Sequence, residues 1–335
     1  MKKKVLITGA SGFIGSFLVE EALRQNYQVY AGIRKSSSKK FLQYDNLNFF
    51  ELDFSSQELL TQNFKIFQEQ QGNFDFVIHN AGITQAKKLE DFTTVNYQYT
   101  KNLVDALSAA SHTPEKFVLI SSLASYGPGK TSMNPIQVSD EYKPISEYGK
   151  SKLKATEYVR SLSGFPHLVI HPTGVYGPRD KDFFQFIKLV SKGFEPYIGR
   201  HKQALSLIYV KDLARAVISL MSSSIVNSSY LLSDGHAYDK EEIGLEARRT
   251  LQKKTFRIKL PLKLVQITVS GIDSVYRLLF NRLPFINRQK LDEISSANWL
   301  CNSDDIWKHI NDKPDYNLQK GVAETIGWYK ENNWL

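Results

Sequence analysis

Tyr148 and Lys152 stand four residues apart in Tyr148-Gly149-Lys150-Ser151-Lys152. On a helix, residues at that spacing share a face. The ammonium can then lie beside the phenol or anchor a cofactor ribose. A free tyrosine has a pKa near ~10, too high for easy base chemistry at neutral pH, and a neighbouring cation favours the phenolate. Tyr148 is therefore read as the group that takes a proton from an alcohol, or gives one to a carbonyl, as hydride moves. The pair alone arises often by chance. Its companion is Ser122, within Ile120-Ser121-Ser122-Leu123-Ala124-Ser125-Tyr126-Gly127. It follows a buried strand and so stands at the carboxyl edge of a sheet, where open α/β folds bind ligands. A hydroxyl there can hydrogen-bond the reacting oxygen. Ser121 competes for that role.

Hydride chemistry needs a dinucleotide, and the first residues supply a place for one. Thr8-Gly9-Ala10-Ser11-Gly12-Phe13-Ile14-Gly15 follows an apolar strand and opens an amphipathic helix. In that context the glycine spacing is a phosphate-binding turn. Gly9 permits the tight turn, Gly12 lets a pyrophosphate approach the backbone, and Gly15 lets the helix pack close. Helix N–H groups and the positive dipole end face the phosphates. Gly9, Ser11, Gly12, Phe13, Ile14 and Gly15 are the candidate contacts. An NAD site usually carries an acid at the end of the second strand. Here that place reads Gly32-Ile33-Arg34-Lys35-Ser36. Arg34 suits a 2′-phosphate, so the expected cofactor is NADP, with NAD possible.

These residues need a sheet to hold them. Strand signals fall at Val5–Thr8, Tyr27–Ile33, Leu47–Leu52, Phe74–His79, Phe117–Ser121, Leu168–Pro172 and Tyr230–Ser233. Helical stretches separate them, among them Phe13–Gln25, Leu89–Ala110 and Glu147–Leu162. The alternation predicts an α/β fold, a Rossmann-type doubly wound parallel sheet. Residues 1–174 form the dinucleotide-binding domain, with 206–233 returning to it. Residues 175–205 and 234–335 form a smaller, mainly helical substrate lobe. Leu264, Val265, Ile272, Val275, Tyr276 and Leu279 share one face of a helix there. A packed lobe helix is the favoured reading, and a membrane-surface helix the other.

The chain has 335 residues, 42% hydrophobic and 23% charged, with net charge +9. That is ordinary composition for a soluble globular protein. The basic balance suits anionic ligands such as phosphates. No aromatic-studded basic motif points to nucleic acid. The single cysteine, Cys301, excludes a disulfide framework, and no metal site is expected. The apolar run after Lys2 to Lys4 is too short for export, and no membrane span is visible, so a cytoplasmic location is the expectation.

Together the motifs resemble the extended short-chain dehydrogenase/reductase superfamily, of the NAD-dependent epimerase/dehydratase type. The residues that carry the resemblance are the glycine turn, Asp53-Phe54, Val77-Ile78-His79-Asn80-Ala81-Gly82, Val95-Asn96, Ser121-Ser122 and Tyr148 with Lys152. Pro172-Thr173-Gly174-Val175-Tyr176-Gly177-Pro178-Arg179 and Tyr209-Val210-Lys211-Asp212 complete it. It implies that Asp53 and Phe54 flank the adenine, and that Ala81 and Gly82 line the cofactor, with Pro172 and Val175 also in contact. It implies a mainly structural Asn96 and, with helix pairs like these, a homodimer. Nucleotide-sugar members often have Asn where Gly174 stands and Arg where His171 stands. Dehydratases place an Asp-Glu pair where Leu123-Ala124 follow Ser122. The stretch from Pro172, with Gly327-Trp328-Tyr329 and Trp334-Leu335, is more similar to dihydroflavonol-reductase-like and 3β-hydroxysteroid-dehydrogenase-like members. That implies an oxidoreductase acting on a secondary alcohol or ketone of a small apolar substrate. A nucleotide-sugar epimerase/dehydratase and a non-catalytic dinucleotide sensor are the alternatives.

Overall fold

Short apolar runs, too short for helices, build the centre of the molecule. A computed structural model describes residues 2–130, 134–199, 202–269 and 288–335. Lys4–Thr8 (β1), Gln28–Ile33 (β2), Asn48–Glu51 (β3), Phe76–His79 (β4), Lys116–Ile120 (β5), His167–Pro172 (β6) and Ser228–Leu232 (β7) form one sheet. The order is β7-β6-β5-β4-β1-β2-β3, and every neighbouring pair is parallel. β4, β5 and β6 are buried at every residue. A parallel strand covered on both faces is mostly apolar, which is why the centres of these strands read as short apolar runs; the polar residues His79, Lys116, His167 and His171 stand among them.

Alternate residues serve two cores. Val5, Ile7, Ile78, Val118 and Ile170 pack with Phe13–Arg24 (α1) and, further along the chain, Val210–Ser222. Leu6, Val77, Phe117, Leu119 and Val169 face the other way, toward Gln57–Gln71 (α2), Tyr99–Ala109 (α3) and Glu147–Arg160 (α4). Burying each such side chain stabilises by roughly 1.5–3 kcal/mol.

The stretch expected as one helix over Leu89–Ala110 is broken. A short turn at Leu89–Phe92 passes into a π segment, Thr93–Gln98, and only then into α3. Asn96 lies buried in the π segment. Such segments recur at functional sites.

Beyond β6 the chain builds a third core, from Tyr176, Ile187, Val190, Leu207, Tyr209, Ala247 and Val322 among others. Asp182–Ser191 (α5), Lys240–Leu251 (α7) and Leu318–Glu331 (α9) supply its helices, while the Val210–Ser222 helix (α6) serves the first core and Arg288–Ser295 (α8) lies outside both. Short strands are also present here, where few were expected. Phe194–Ile198 pairs in parallel with Phe256–Leu260. Asp212, buried at the start of α6, accepts from the Asp315 and Tyr316 backbone N–H groups and ties down the C-terminal strap. Of the proposed lobe helix, 262–269 is helical. Ile272, Val275, Tyr276 and Leu279 lie outside the described residues. Among the described residues no helix is long and apolar enough to cross a membrane.

Candidate active site

The glycine turn closes tightly on its surroundings. Gly12 N donates to Gly9 O at 3.0 Å. Gly9 has φ +64°, and a Cβ on it would lie 2.8 Å from Ala81 Cα. A Cβ on Gly15 would lie 2.1 Å from Gly9 O. Gly15 thus seats α1 against the turn itself, a contact no side chain permits. α1 has no side-chain cap and no acid in its first turn. Its positive end stays available beside Ser11, Gly12, Phe13 and Ile14, which suits a phosphate. The residues present therefore fit a dinucleotide.

Below the turn runs a buried relay that sequence reasoning missed. Thr8 Oγ1 accepts from Asn80 N at 3.2 Å and Ala81 N at 3.1 Å. It lies 2.8 Å from His79 Nδ1, while His79 Nε2 lies 3.0 Å from Thr100 Oγ1. Thr100 donates to Asn96 O. The network assigns the proton to Nε2, since Thr100 has its own proton engaged and Thr8 has one left to give. Burial brings His79 down to about 3, so the ring is neutral. The relay locks the ends of β1 and β4, and with them the Ala81-Gly82 floor.

The remaining cofactor candidates line the same sheet edge. Arg34 is exposed just past β2, in a turn held by Arg34 N to Ser37 Oγ at 3.1 Å. The Asp53 carboxylate is exposed beyond β3, where hydrogen bonds from Ser55 hold it below the usual carboxylate range. The Phe54 ring is buried, packed against His79 and Tyr99. Only its backbone can face a ligand. Pro172 ends β6, and Val175 is half-buried against the first core.

Ser122, Tyr148 and Lys152 come together from β5 and α4. Ser146 caps α4, accepting from Gly149 N at 3.0 Å, and so fixes the first turn that carries Tyr148. Asn96 clamps the same helix: its Nδ2 donates to Ser151 Oγ at 3.0 Å and to Ile83 O at 3.0 Å. Lys152 Nζ donates to Ile120 O at 2.8 Å, and a Cβ on Gly82 would lie 3.3 Å from that nitrogen. Ser122 Oγ accepts from Ala124 N at 3.1 Å, and the Ser122 hydroxyl lies near enough to the Tyr148 phenol to favour its charged form. Ser121 pairs instead with Thr156 at 2.9 Å. Ser121 is thereby engaged inside the helix–sheet packing, while Ser122 stands on the side of Tyr148. His171, read from sequence as structural, braces this loop through Ser125 Oγ at 3.0 Å and Ser122 O at 3.3 Å.

The electrostatics differ from expectation in one respect. Burial pushes the Tyr148 phenol up to about 12; the Ser122 hydrogen bond opposes the rise and the Glu293 carboxylate adds to it. Burial alone brings the Lys152 ammonium down to about 8. The cation is engaged with a backbone carbonyl, so it does not by itself make a phenolate. Glu293 was not foreseen either. It lies on α8, accepts from the Ser146 hydroxyl, and joins the C-terminal lobe to the head of α4. Gln289 Oε1 adds a second link, accepting from Glu147 N at 2.7 Å.

The pattern of the NAD dependent epimerase/dehydratase family matches residues 5–231. The chain belongs to this family. Extended short-chain dehydrogenase membership follows, and with it an enzyme. A family member similar in sequence is the UDP-glucose 4-epimerase of Vibrio cholerae, 29% identical over 275 residues, covering 78% of this chain and 80% of that protein. The ceramide reductase of Caulobacter vibrioides is 23% identical over 334 residues, covering 99% of this chain and 96% of that one. The fold is also that of the UDP-glucose 4-epimerase of Thermotoga maritima, solved with UDP-glucose: TM-score 0.79, 18% identity, 98% and 99% coverage.

Proposed function

We propose that this family member is an NADP- or NAD-dependent oxidoreductase that interconverts a secondary alcohol and a ketone on an apolar substrate. The observation that carries the reading is that Ser122 and the Tyr148 phenol meet just past β5, while Lys152, one turn along the same helix, reaches the last carbonyl of that strand. The glycine turn, Ala81-Gly82, Asp53 and the Phe54 backbone would hold the dinucleotide, with Arg34 beside a 2′-phosphate. A bound nicotinamide supplies the hydride acceptor or donor. The rest falls to the chain. Ser122 orients the substrate oxygen. Tyr148, with a phenol near 12, holds its proton at neutral pH and can deliver it to an oxygen that becomes an alkoxide. That favours the reducing direction. The Lys152 charge steadies the phenol as the proton leaves.

Three features support an apolar substrate. Leu123-Ala124 replace the acid pair a dehydration needs. The Glu293 carboxylate places negative charge near the phenol on the lobe side, which disfavours an anionic group there. Similarity to the ceramide reductase runs almost end to end in both chains. A second reading, a nucleotide-sugar 4-epimerase, is favoured by the 29% identity to the Vibrio cholerae protein.

Long-chain and polycyclic ketones, with either reduced cofactor, should be reduced with loss of nicotinamide absorbance, faster with NADPH. UDP-glucose should neither be epimerised nor raise the melting temperature. Epimerisation without any ketone reduction would transfer the assignment to the second reading.

A further inference from the structure

The paired strands Phe194–Ile198 and Phe256–Leu260 are built inside out. In the parallel register Phe194 faces Phe256, Pro196 faces Ile258 and Ile198 faces Leu260. These six apolar residues share one face of the ribbon. Phe194, Phe256 and Leu260 are 50%, 70% and 36% exposed. On the opposite face Glu195 and Tyr197 are buried, while Arg257 and Lys259 remain exposed. Glu195 is fully buried, accepts from Arg248 at 2.9 Å and Thr255 at 2.6 Å, and lies 3.6 Å from Arg257. Lys259 pairs with Glu241. Water selects the reverse arrangement, polar out and apolar in. The apolar surface continues into the helix at 262–269, where Leu264 and Ile267 are 57% and 73% exposed.

Charge marks the same stretch. Residues 252–269 hold five lysines and arginines, Lys253, Lys254, Arg257, Lys259 and Lys263, and no acid, a net +5 within a chain of net +9. Lys253, Lys254 and Lys263 are exposed beside the apolar face. Exposed aromatic and aliphatic side chains among lysines form the pattern that lies in the headgroup boundary of an anionic bilayer.

We infer that this face docks on an anionic lipid surface, as a peripheral contact rather than a span. The inference does not depend on which alcohol the site takes. Its consequence is that an apolar substrate can be met at the bilayer.

Flotation of the full chain with vesicles tests it. The wild type should float with phosphatidylcholine vesicles containing phosphatidylglycerol and not with phosphatidylcholine alone, and added salt should weaken binding. Each lysine near such a surface contributes about 1 kcal/mol, so Lys253→Gln/Lys254→Gln/Lys263→Gln should lose on the order of a hundredfold in affinity. Phe256→Ser/Ile267→Ser should lose at least about tenfold. Both variants change exposed residues and should keep the wild-type thermal response to cofactor. No flotation, equal flotation with neutral vesicles, or wild-type flotation by both variants would overturn the inference. So would an assembly seen by light scattering that Phe256→Ser/Ile267→Ser dissolves, which would give the face to a second copy of the chain.

Discussion

Lys152 donates to the Ile120 carbonyl, and burial alone moves its pKa, down to about 8 from 10.5. Between those values the unfolded chain holds a proton that the folded chain has lost, so this residue's contribution makes stability rise with pH from about 8 to 10.5. Below about 8 the folded protein carries a buried charge at a cost of roughly 3 kcal/mol, an order-of-magnitude figure. Lys152→Met should therefore raise stability to urea at pH 7 by about 1–3 kcal/mol while removing activity, a trade common at functional sites. Unchanged or lower stability in the variant would show that the ammonium is not strained. The same value sets the reaction's pH dependence. Reduction should be flat below about pH 8 and fall above it as Lys152 loses its proton, and a rate that rises through that range would count against a charged lysine. Tyr148, Lys152 and Ser122 could be picked out as candidates because their types and local spacing are visible along the chain. Glu293 was not, because it meets Ser146 across 147 positions of sequence and carries no local pattern.

At the scale of elements, burial on both faces made the strands readable. The expected Phe117–Ser121 differs from β5 by one residue at each end, and Leu168–Pro172 from β6 by one residue at its start. The π segment escaped notice because Thr93–Gln98 keeps a helical pattern of side chains, and only the inward turn of Asn96 marks it. The ribbon at Phe194–Ile198 escaped because its apolar residues face outward, so its alternation does not point to a core. The glycine turn makes a testable contrast. A Cβ on Gly15 would meet Gly9 O at 2.1 Å, whereas one on Gly327, inside α9, meets nothing within 4 Å. Gly15→Ala should cost about 1–3 kcal/mol and weaken the thermal response to cofactor. Gly327→Ala should stabilise by about 0.5–1 kcal/mol through helix propensity alone. Melting curves with and without cofactor check both, and a harmless Gly15→Ala would mean that α1 is not held by that contact.

Across the whole molecule, the candidate site joins segments far apart in sequence: the turn at 8–15, the loop after β5, the head of α4 and the lobe helix α8. The sheet brings the first three together, and Ser146 with Glu147 fastens the fourth. Under the proposed function, the buried phenol keeps its proton until an acceptor oxygen arrives. The central claim is that this proton is the one transferred. Tyr148→Phe keeps the ring, its edge contact with Phe92 and the cofactor turn, and removes only the proton. With a ketone that the wild type reduces, the variant should bind cofactor with unchanged affinity and turn over about 10²–10⁴-fold more slowly. Turnover of that ketone by Tyr148→Phe at the wild-type rate would contradict the account.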